Sequence, residues 1–171
     1  MATLILTILL ITTLGLLYWQ VSNLISILAG SPFVVSKKEY IQKALEIAQL
    51  KKGELLYDLG CGNGEALIAA EKMGAQAVGY EISPFYYWLS KIRTCRNQNI
   101  SVKFQDIKKT DLSSVDVIYV YLLPKFLEKL APKFKNELKK GARLISLDFE
   151  IEGLEGEEIK FGKKKFYLYR F

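Results

Sequence analysis

The stretch Tyr57-Asp58-Leu59-Gly60-Cys61-Gly62-Asn63-Gly64 sets glycine at every second position directly behind an apolar run. This suits a strand that turns sharply into a helix, because glycine permits the tight turn and lets a ligand approach bare peptide groups. A dinucleotide-binding turn requires Gly-x-Gly-x-x-Gly, and counted from Gly60 its third glycine would fall on Glu65. The loop is Gly-x-Gly-x-Gly instead, and the strand-end acid Asp58 is tolerable beside a ligand that carries no pyrophosphate. Two more acids follow. Glu81 closes Val78-Gly79-Tyr80-Glu81, about 20 residues beyond the loop, where a carboxylate can accept both hydroxyl protons of a ribose. Asp106 closes Lys103-Phe104-Gln105-Asp106, placed to accept from an adenine amino group with Ile107 covering the ring. Either acid alone also suits an exposed turn. All three sit at the ends of successive strands, the place where open sheets bind ligands, and together they define one nucleoside site.

The binding set read from this pattern is Asp58, Gly60, Cys61, Gly62, Asn63, Gly64, Glu81, Ile82, Asp106 and Ile107. The expected ligand is S-adenosylmethionine, a nucleoside whose sulfonium and amino-acid tail stand where a dinucleotide has phosphates. Methyl transfer from it is an in-line displacement, so the protein mainly positions a neutral nucleophile and excludes water. Candidates beside the nucleophile are Tyr119, Tyr121 and Leu122, with Phe33 and Ser36 from the entry segment and Asp148 as an acid that orients an acceptor amine. Tyr119 and Tyr121 alternate on a strand and equally suit core packing. The run Phe85-Tyr86-Tyr87-Trp88 is read as helix packing, since a helix buries large rings readily.

The elements that must position these groups alternate. Ser36 with Glu39 reads as a capping box opening a helix that lasts toward Gly53. Strands are expected at Leu55 to Leu59, Ala77 to Glu81, Ile100 to Gln105, Val115 to Tyr121 and Ala142 to Phe149. Helices are expected at Glu65 to Met73, Phe85 to Arg96 and Lys125 to Lys139, the last closed by Gly141. Alternation of this kind implies a parallel sheet between helices. Glu158 to Phe161 and Lys165 to Phe171 flank Gly162-Lys163-Lys164 with no room for a helix and read as an antiparallel hairpin.

No Asp, Glu, Lys or Arg precedes Lys37, and the uncharged stretch from Ala2 is long enough to cross a bilayer, which takes ~20 helical residues. Tyr18-Trp19 suits the headgroup boundary. A cleaved signal peptide is the alternative, although Met1-Ala2-Thr3 lacks the positive charges such segments carry. The expected organisation is an anchor over 1–29 in the lipid bilayer, a linker over 30–35 broken by Gly30-Ser31-Pro32, and a catalytic domain over 36–171. Lys37, Lys38, Lys43, Lys51 and Lys52 follow the span, so the positive-inside tendency puts that domain in the cytoplasm. Two cysteines and no histidine provide no zinc spacing, and no metal is expected. The net charge of +6 is spread over the chain, which reads as a solvated face rather than a nucleic-acid patch.

From Pro32 to the end the chain resembles the seven-strand class I methyltransferases that include the mitochondrial lysine methyltransferases of ATP synthase c-subunit and adenine nucleotide translocase, with their prokaryotic relatives. The resemblance is carried by Pro32-Phe33-Val34-Val35-Ser36, Tyr57 to Gly64, Val78-Gly79-Tyr80-Glu81-Ile82-Ser83-Pro84, Tyr121-Leu122-Leu123-Pro124 and Gly141 to Phe149. It implies a Rossmann-like α/β sheet of order 3-2-1-4-5-7-6 and a protein lysine as acceptor. Many prokaryotic relatives carry Ser-His-Asp-Phe where this chain has Ser146-Leu147-Asp148-Phe149. Without a histidine base, an aromatic channel would favour the neutral amine by desolvation. Acceptors in RNA or small molecules, and a tethered binding protein without turnover, are the competing expectations. Amino-directed nucleic-acid enzymes carry Asn or Asp, two prolines and an aromatic where Tyr121-Leu122-Leu123-Pro124 stands.

Overall fold

The computed structural model describes all residues except Ala29, Ser31, Pro32 and Phe33. Most of the Gly30-Ser31-Pro32 break, and Phe33 as an acceptor-channel candidate, therefore lie outside the described residues. Helix α1 (Ala2–Leu28) leads, followed by α2 (Lys38–Ile47), β1 (Leu55–Leu59), α3 (Glu65–Lys72), β2 (Gln76–Glu81), α4 (Pro84–Thr94) and β3 (Ile100–Phe104). A 3-10 turn (Ile107–Lys109) leads to β4 (Val117–Val120), α5 (Pro124–Glu137), β5 (Arg143–Leu147), β6 (Gly156–Phe161) and β7 (Lys164–Arg170). The sheet order is β3-β2-β1-β4-β5-β7-β6, as the resemblance implied. Its first five strands pair in parallel and β7 runs antiparallel to both β5 and β6.

The period-2 alternation of side chains sorts the core into two layers. Leu56 and Ile145 point to the layer under α2 and α3 with Leu45, Leu67 and Phe166. Tyr57, Leu59 and Leu144 point to the layer under α5 with Phe134 and Leu127. Asp58 alternates with Tyr57 and Leu59, so it faces the α2–α3 side, where Val117 and Tyr119 of β4 also lie. Chain order reverses direction between β1 and β4, and this switch point opens a cleft at the carboxyl ends of the strands.

Several expected boundaries move. Ser36 is not a helix cap: Lys37 occupies that position in an extended conformation and makes no side-chain cap bond. The Ser36 hydroxyl is instead drawn to Tyr119, which donates to it at 3.4 Å. β4 stops at Val120 and β5 at Leu147, one and two residues short of expectation; Asp148 leaves the extended conformation at a positive φ of 67° and its side chain meets Tyr121. α5 ends at Glu137 rather than running to Lys139. Within the aromatic run, Tyr86 is buried, but Trp88 is 56% exposed and packs only in part.

Helix α1 is exposed along Met1 to Trp19, with large apolar side chains facing outward throughout. Three of its four threonines satisfy their own hydroxyls: Thr7 donates to the Thr3 carbonyl at 2.9 Å, and Thr12 and Thr13 donate to the Leu9 carbonyl at 2.9 and 2.7 Å. Such back-bonding lets a hydroxyl reside in an apolar medium without an orphaned donor. The last turns of α1 instead pack on the domain, burying Ser22 and Ser26.

Candidate active site

Glu81 organises the cofactor end of the cleft. Its Oε2 accepts from the Gly62 N–H at 2.8 Å, and its Oε1 accepts from the Ile82 and Ser83 N–H groups at 2.9 and 2.8 Å. One side chain thus ties the glycine loop to the β2–α4 turn. Three of a carboxylate's roughly four acceptor positions are filled, which leaves one on Oε2 for a ligand hydroxyl. Burial pushes the Glu81 carboxyl upward against those three backbone bonds. The Gly60 and Cys61 N–H groups both donate to the Tyr80 carbonyl, at 2.9 and 3.0 Å, closing the loop against β2.

Gly60, Gly62 and Gly64 all adopt positive φ, at 86°, 52° and 76°. A side chain at any of them would strain the turn. Gly79 has a different function, since a Cβ there would fall 2.7 Å from the Cys61 Sγ and 2.6 Å from Leu67. Its absence admits Cys61, whose thiol is buried and pushed well up by that burial, so it packs as an inert group. Asn63 is held from both sides: its carbonyl accepts from Arg93 at 3.0 Å and its side chain accepts from the Glu65 N–H at 3.3 Å.

Asp58 is 4% exposed and borders the cleft. Burial, and then the charge of Glu81, push its carboxyl up to about 8. A buried acid of that kind needs a cation to stay ionised. Asp106 follows β3 by two residues, and its Oδ1 accepts from the Lys108 N–H at 2.9 Å, capping the 3-10 turn that sets Ile107 into the wall.

The opposite wall comes from β4 and β5. Tyr119 and Tyr121 both line the cleft, with Leu122 and Phe126 beside them. Burial pushes the Tyr119 phenol up, so it stays protonated. Tyr121 donates to Asp148 Oδ2 at 3.0 Å, and Lys164 binds both, donating to the Tyr121 hydroxyl at 3.2 Å and pairing with Asp148. The Asp148 hydrogen bond holds the Lys164 ammonium above its usual range. Asp148 reaches this position through a positive φ of 67°, stitched by its N–H to the Lys165 carbonyl at 2.7 Å.

Of the residues singled out in the sequence, Asp58, Gly60, Cys61, Gly62, Asn63, Glu81, Ile82, Asp106, Ile107, Tyr119 and Tyr121 border this one cleft. Gly64 stands behind it at the start of α3, and Asp148 touches it through Tyr121. Sequence reasoning missed Lys164, Gln105 and Tyr80, and it missed the contribution of α1. Ser26 borders the cleft. Ser22 lies within 2.6 Å of the Ser83 hydroxyl and accepts from the Phe85 N–H at 2.8 Å. The signal was present as two serines at i and i+4 in an otherwise apolar helix, a spacing that puts both on one face.

A seven-strand sheet of this order, with a glycine turn after β1 and acids after β2 and β3, defines a class I methyltransferase, which uses S-adenosylmethionine. The chain belongs to the ANTKMT methyltransferase domain family, which matches residues 58–158. It is similar to a protein-lysine N-methyltransferase of Saccharolobus islandicus, 32% identical over 138 residues that cover 75% of this chain and 83% of that protein. It is 33% identical over 121 residues to the ATP synthase c-subunit lysine N-methyltransferase of Rattus norvegicus, covering 69% of this chain and 56% of that protein. The match thus spans little more than half of the mammalian relative. Among solved structures, an RNA methyltransferase from Salinibacter ruber in complex with S-adenosyl-L-homocysteine aligns with a TM-score of 0.77 at 27% identity, covering 80% of this chain and 93% of that one.

Proposed function

We propose that this methyltransferase transfers the methyl group to a lysine side chain of a membrane or membrane-associated protein, with α1 spanning the bilayer and the domain on its cytoplasmic side. The observation that carries the reading is the Lys164 ammonium seated between the Tyr121 hydroxyl and Asp148. This wall binds a primary ammonium, and Tyr121 connects it to the cofactor cleft. The lysine substrates named for the archaeal and rat relatives agree with it.

Fit to the cofactor rests on the donor set. Among the described residues no Lys or Arg pairs with the buried Asp58, and an amino-acid ammonium suits it. The free acceptor position on Glu81 Oε2 suits a ribose hydroxyl, while Asp106 and Ile107 suit the amino edge and the face of adenine. Gly60, Gly62 and Gly64 present backbone without side chains between them. When bound, the cofactor supplies an electrophilic methyl carbon on a sulfonium.

The chain's own residues then do three things. Tyr121 and Asp148 receive a lysine ammonium in exchange for that of Lys164, which occupies the seat in the free chain. Tyr119, Leu122 and Phe126 make the inner wall apolar, which favours loss of the proton to solvent and a neutral amine. Ser26 of α1, with Val34 and Ser36, borders the cleft and limits the entry of competing water. These residues would aim the amine lone pair at the methyl carbon that the bound cofactor supplies, the S–C bonding pair departing on sulfur.

The RNA methyltransferase of Salinibacter ruber favours RNA as the second reading. Incubating host membranes with the enzyme and methyl-labelled cofactor, then mapping the label, separates the two. Methyl-lysine on a membrane protein is the expected result. Label confined to RNA, or cofactor binding without any transfer, would sink the proposal.

A further inference from the structure

We propose that the outer face of α4, from Phe85 through Trp88 to Ile92, rests on the anionic lipid surface of the bilayer that α1 crosses, so that the cleft opens at headgroup level. The inference rests on the reading of α1 as a membrane span and names the surface on which that reading seats the active site.

Phe85, Trp88 and Ile92 stand at i, i+3 and i+7, one face of a helix. The opposite face buries Tyr86, Ser90 and Thr94 in the domain. Trp88 is 56% and Ile92 68% exposed, so the outward stripe is apolar and bare at these two positions, with Phe85 half-buried.

The first member of that stripe is tied to the anchor. Phe85 meets Tyr18 edge-on with ring centroids 6.4 Å apart, and its N–H donates to Ser22 at 2.8 Å. Tyr18 and Trp19 are about 18 residues into α1, which begins at Ala2 and continues to Leu28, and about 20 residues of helix span the hydrocarbon core. Aromatic side chains at that point occupy the headgroup boundary. Phe85 is therefore held at the same depth, with Trp88 one turn further along the same face. Val34, 51% exposed, borders the cleft itself.

Charge supports the same partner. Between Glu81 and Asp106 the chain carries no acid, yet it carries Lys91, Arg93, Arg96 and Lys103. Arg93 is paired with Glu65 and Lys103 lies over the Tyr80 ring on the other face of the sheet, whereas Lys91 and Arg96 are exposed beside the stripe. Exposed aromatic and aliphatic groups rimmed by basic residues are what binds an anionic lipid surface.

The chain has two tryptophans, Trp19 in the anchor and Trp88 in the stripe, so each can report alone. Trp19→Phe leaves Trp88 as the reporter, and Trp88→Phe leaves Trp19. Each full-length variant is reconstituted into vesicles of phosphatidylcholine with or without phosphatidylglycerol, and emission is quenched with lipid-borne bromine or with aqueous iodide. The expected result is loss of Trp88 emission to bromine, protection from iodide, and greater loss when phosphatidylglycerol is present. Free access of iodide to Trp88 without bromine quenching overturns the proposal. Shielding from both quenchers means that protein covers the stripe, and overturns it equally. Bromine quenching that ignores phosphatidylglycerol overturns the part that specifies anionic lipid. If Trp19 is quenched by bromine and Trp88 is not, the stripe reading alone has failed; if neither is, the membrane-span reading has failed with it.

Discussion

Along β1 and β2 the cleft is walled by groups that short stretches of chain hold by themselves. The Gly60–Gly64 turn folds on its own glycines, and Glu81 is clamped by N–H groups that include those of the next two residues. Along β4 and β5 the wall is assembled from afar: Tyr119 meets Ser36, and Tyr121 meets Asp148 and Lys164, across 83, 27 and 43 positions of chain. The first wall serves a ligand of fixed shape and can be rigid and local. The second faces the acceptor in the function proposed, and its composition depends on how distant elements dock. If that contrast is right, substitutions in the first wall should change cofactor affinity and apo stability, and those in the second should change acceptor kinetics alone.

The largest effect is expected at Asp58. Its carboxyl is pushed up to about 8 when folded, first by burial and then by Glu81, against an ordinary value of 3.8. The folded apo chain therefore holds a proton that the unfolded chain releases. The associated stability is fully present below about pH 4 and is lost as pH rises through about 8. Glu81 is raised in the same direction and steepens the slope. Asp58→Asn keeps the neutral form at every pH and should be more stable than the unmodified apo chain at pH 8 to 9, on the order of 3 kcal/mol. Thermal unfolding between pH 5 and 9 checks this. Parallel curves for the two proteins would mean that the carboxyl titrates normally.

Glu81→Ala comes next. It removes the ligand's acceptor on Oε2 and frees three N–H groups that now converge on one carboxylate. Losing a charged hydrogen-bonding group costs about 1.5–3 kcal/mol, or roughly tenfold to a hundredfold in cofactor affinity. Calorimetric titration with S-adenosylmethionine reads it directly. Unchanged affinity would remove Glu81 from the cofactor wall.

The same contrast decides what is legible in the sequence. The parallel sheet and the cofactor wall are readable because periodicity, glycine spacing and strand-end acids are local marks. Lys164 reads there only as a hairpin turn residue. What makes it functional is the β5–β7 register, which sets Leu147 opposite Phe166 and so brings the residues just beyond β5 against the start of β7. Ser36 has the composition of a helix cap, and only the docking of α2 beside β4 shows that its hydroxyl serves Tyr119 instead. β5 falls short of expectation because the Asp148 backbone turns to a positive φ of 67°, where its side chain meets Tyr121, and a propensity argument has no access to that contact.

Asp148→Asn tests the second wall. It removes the charge from the ammonium seat while keeping the side chain's shape. The loss of one charge-assisted hydrogen bond, about 1.5 kcal/mol, should lower kcat/KM for the lysine acceptor roughly tenfold. Cofactor affinity should stay as it was. Steady-state kinetics with the acceptor varied, set beside the calorimetric titration, separate the two. A fall in cofactor affinity instead would erase the distinction between the walls.

The smallest effect is expected at Ser22, where the anchor meets the first wall. Helix α4 opens at Ser83, whose own side chain makes no cap bond to the helix. Ser22 supplies it from α1, accepting from the Phe85 N–H at 2.8 Å while bonded to the Ser83 hydroxyl at 2.6 Å. The Ser83 N–H in turn binds Glu81. Ser22 is thus a positioning residue: it steadies the turn that aims Glu81 without touching the cofactor itself. Removing a helix cap costs about 1 kcal/mol, so Ser22→Ala should weaken cofactor binding roughly fivefold. It should raise the KM for cofactor and leave kcat at saturation unchanged, because the group affects alignment before chemistry begins. If Ser22→Ala binds cofactor as tightly as the unmodified chain, the end of α1 packs against the catalytic domain without governing its cofactor site.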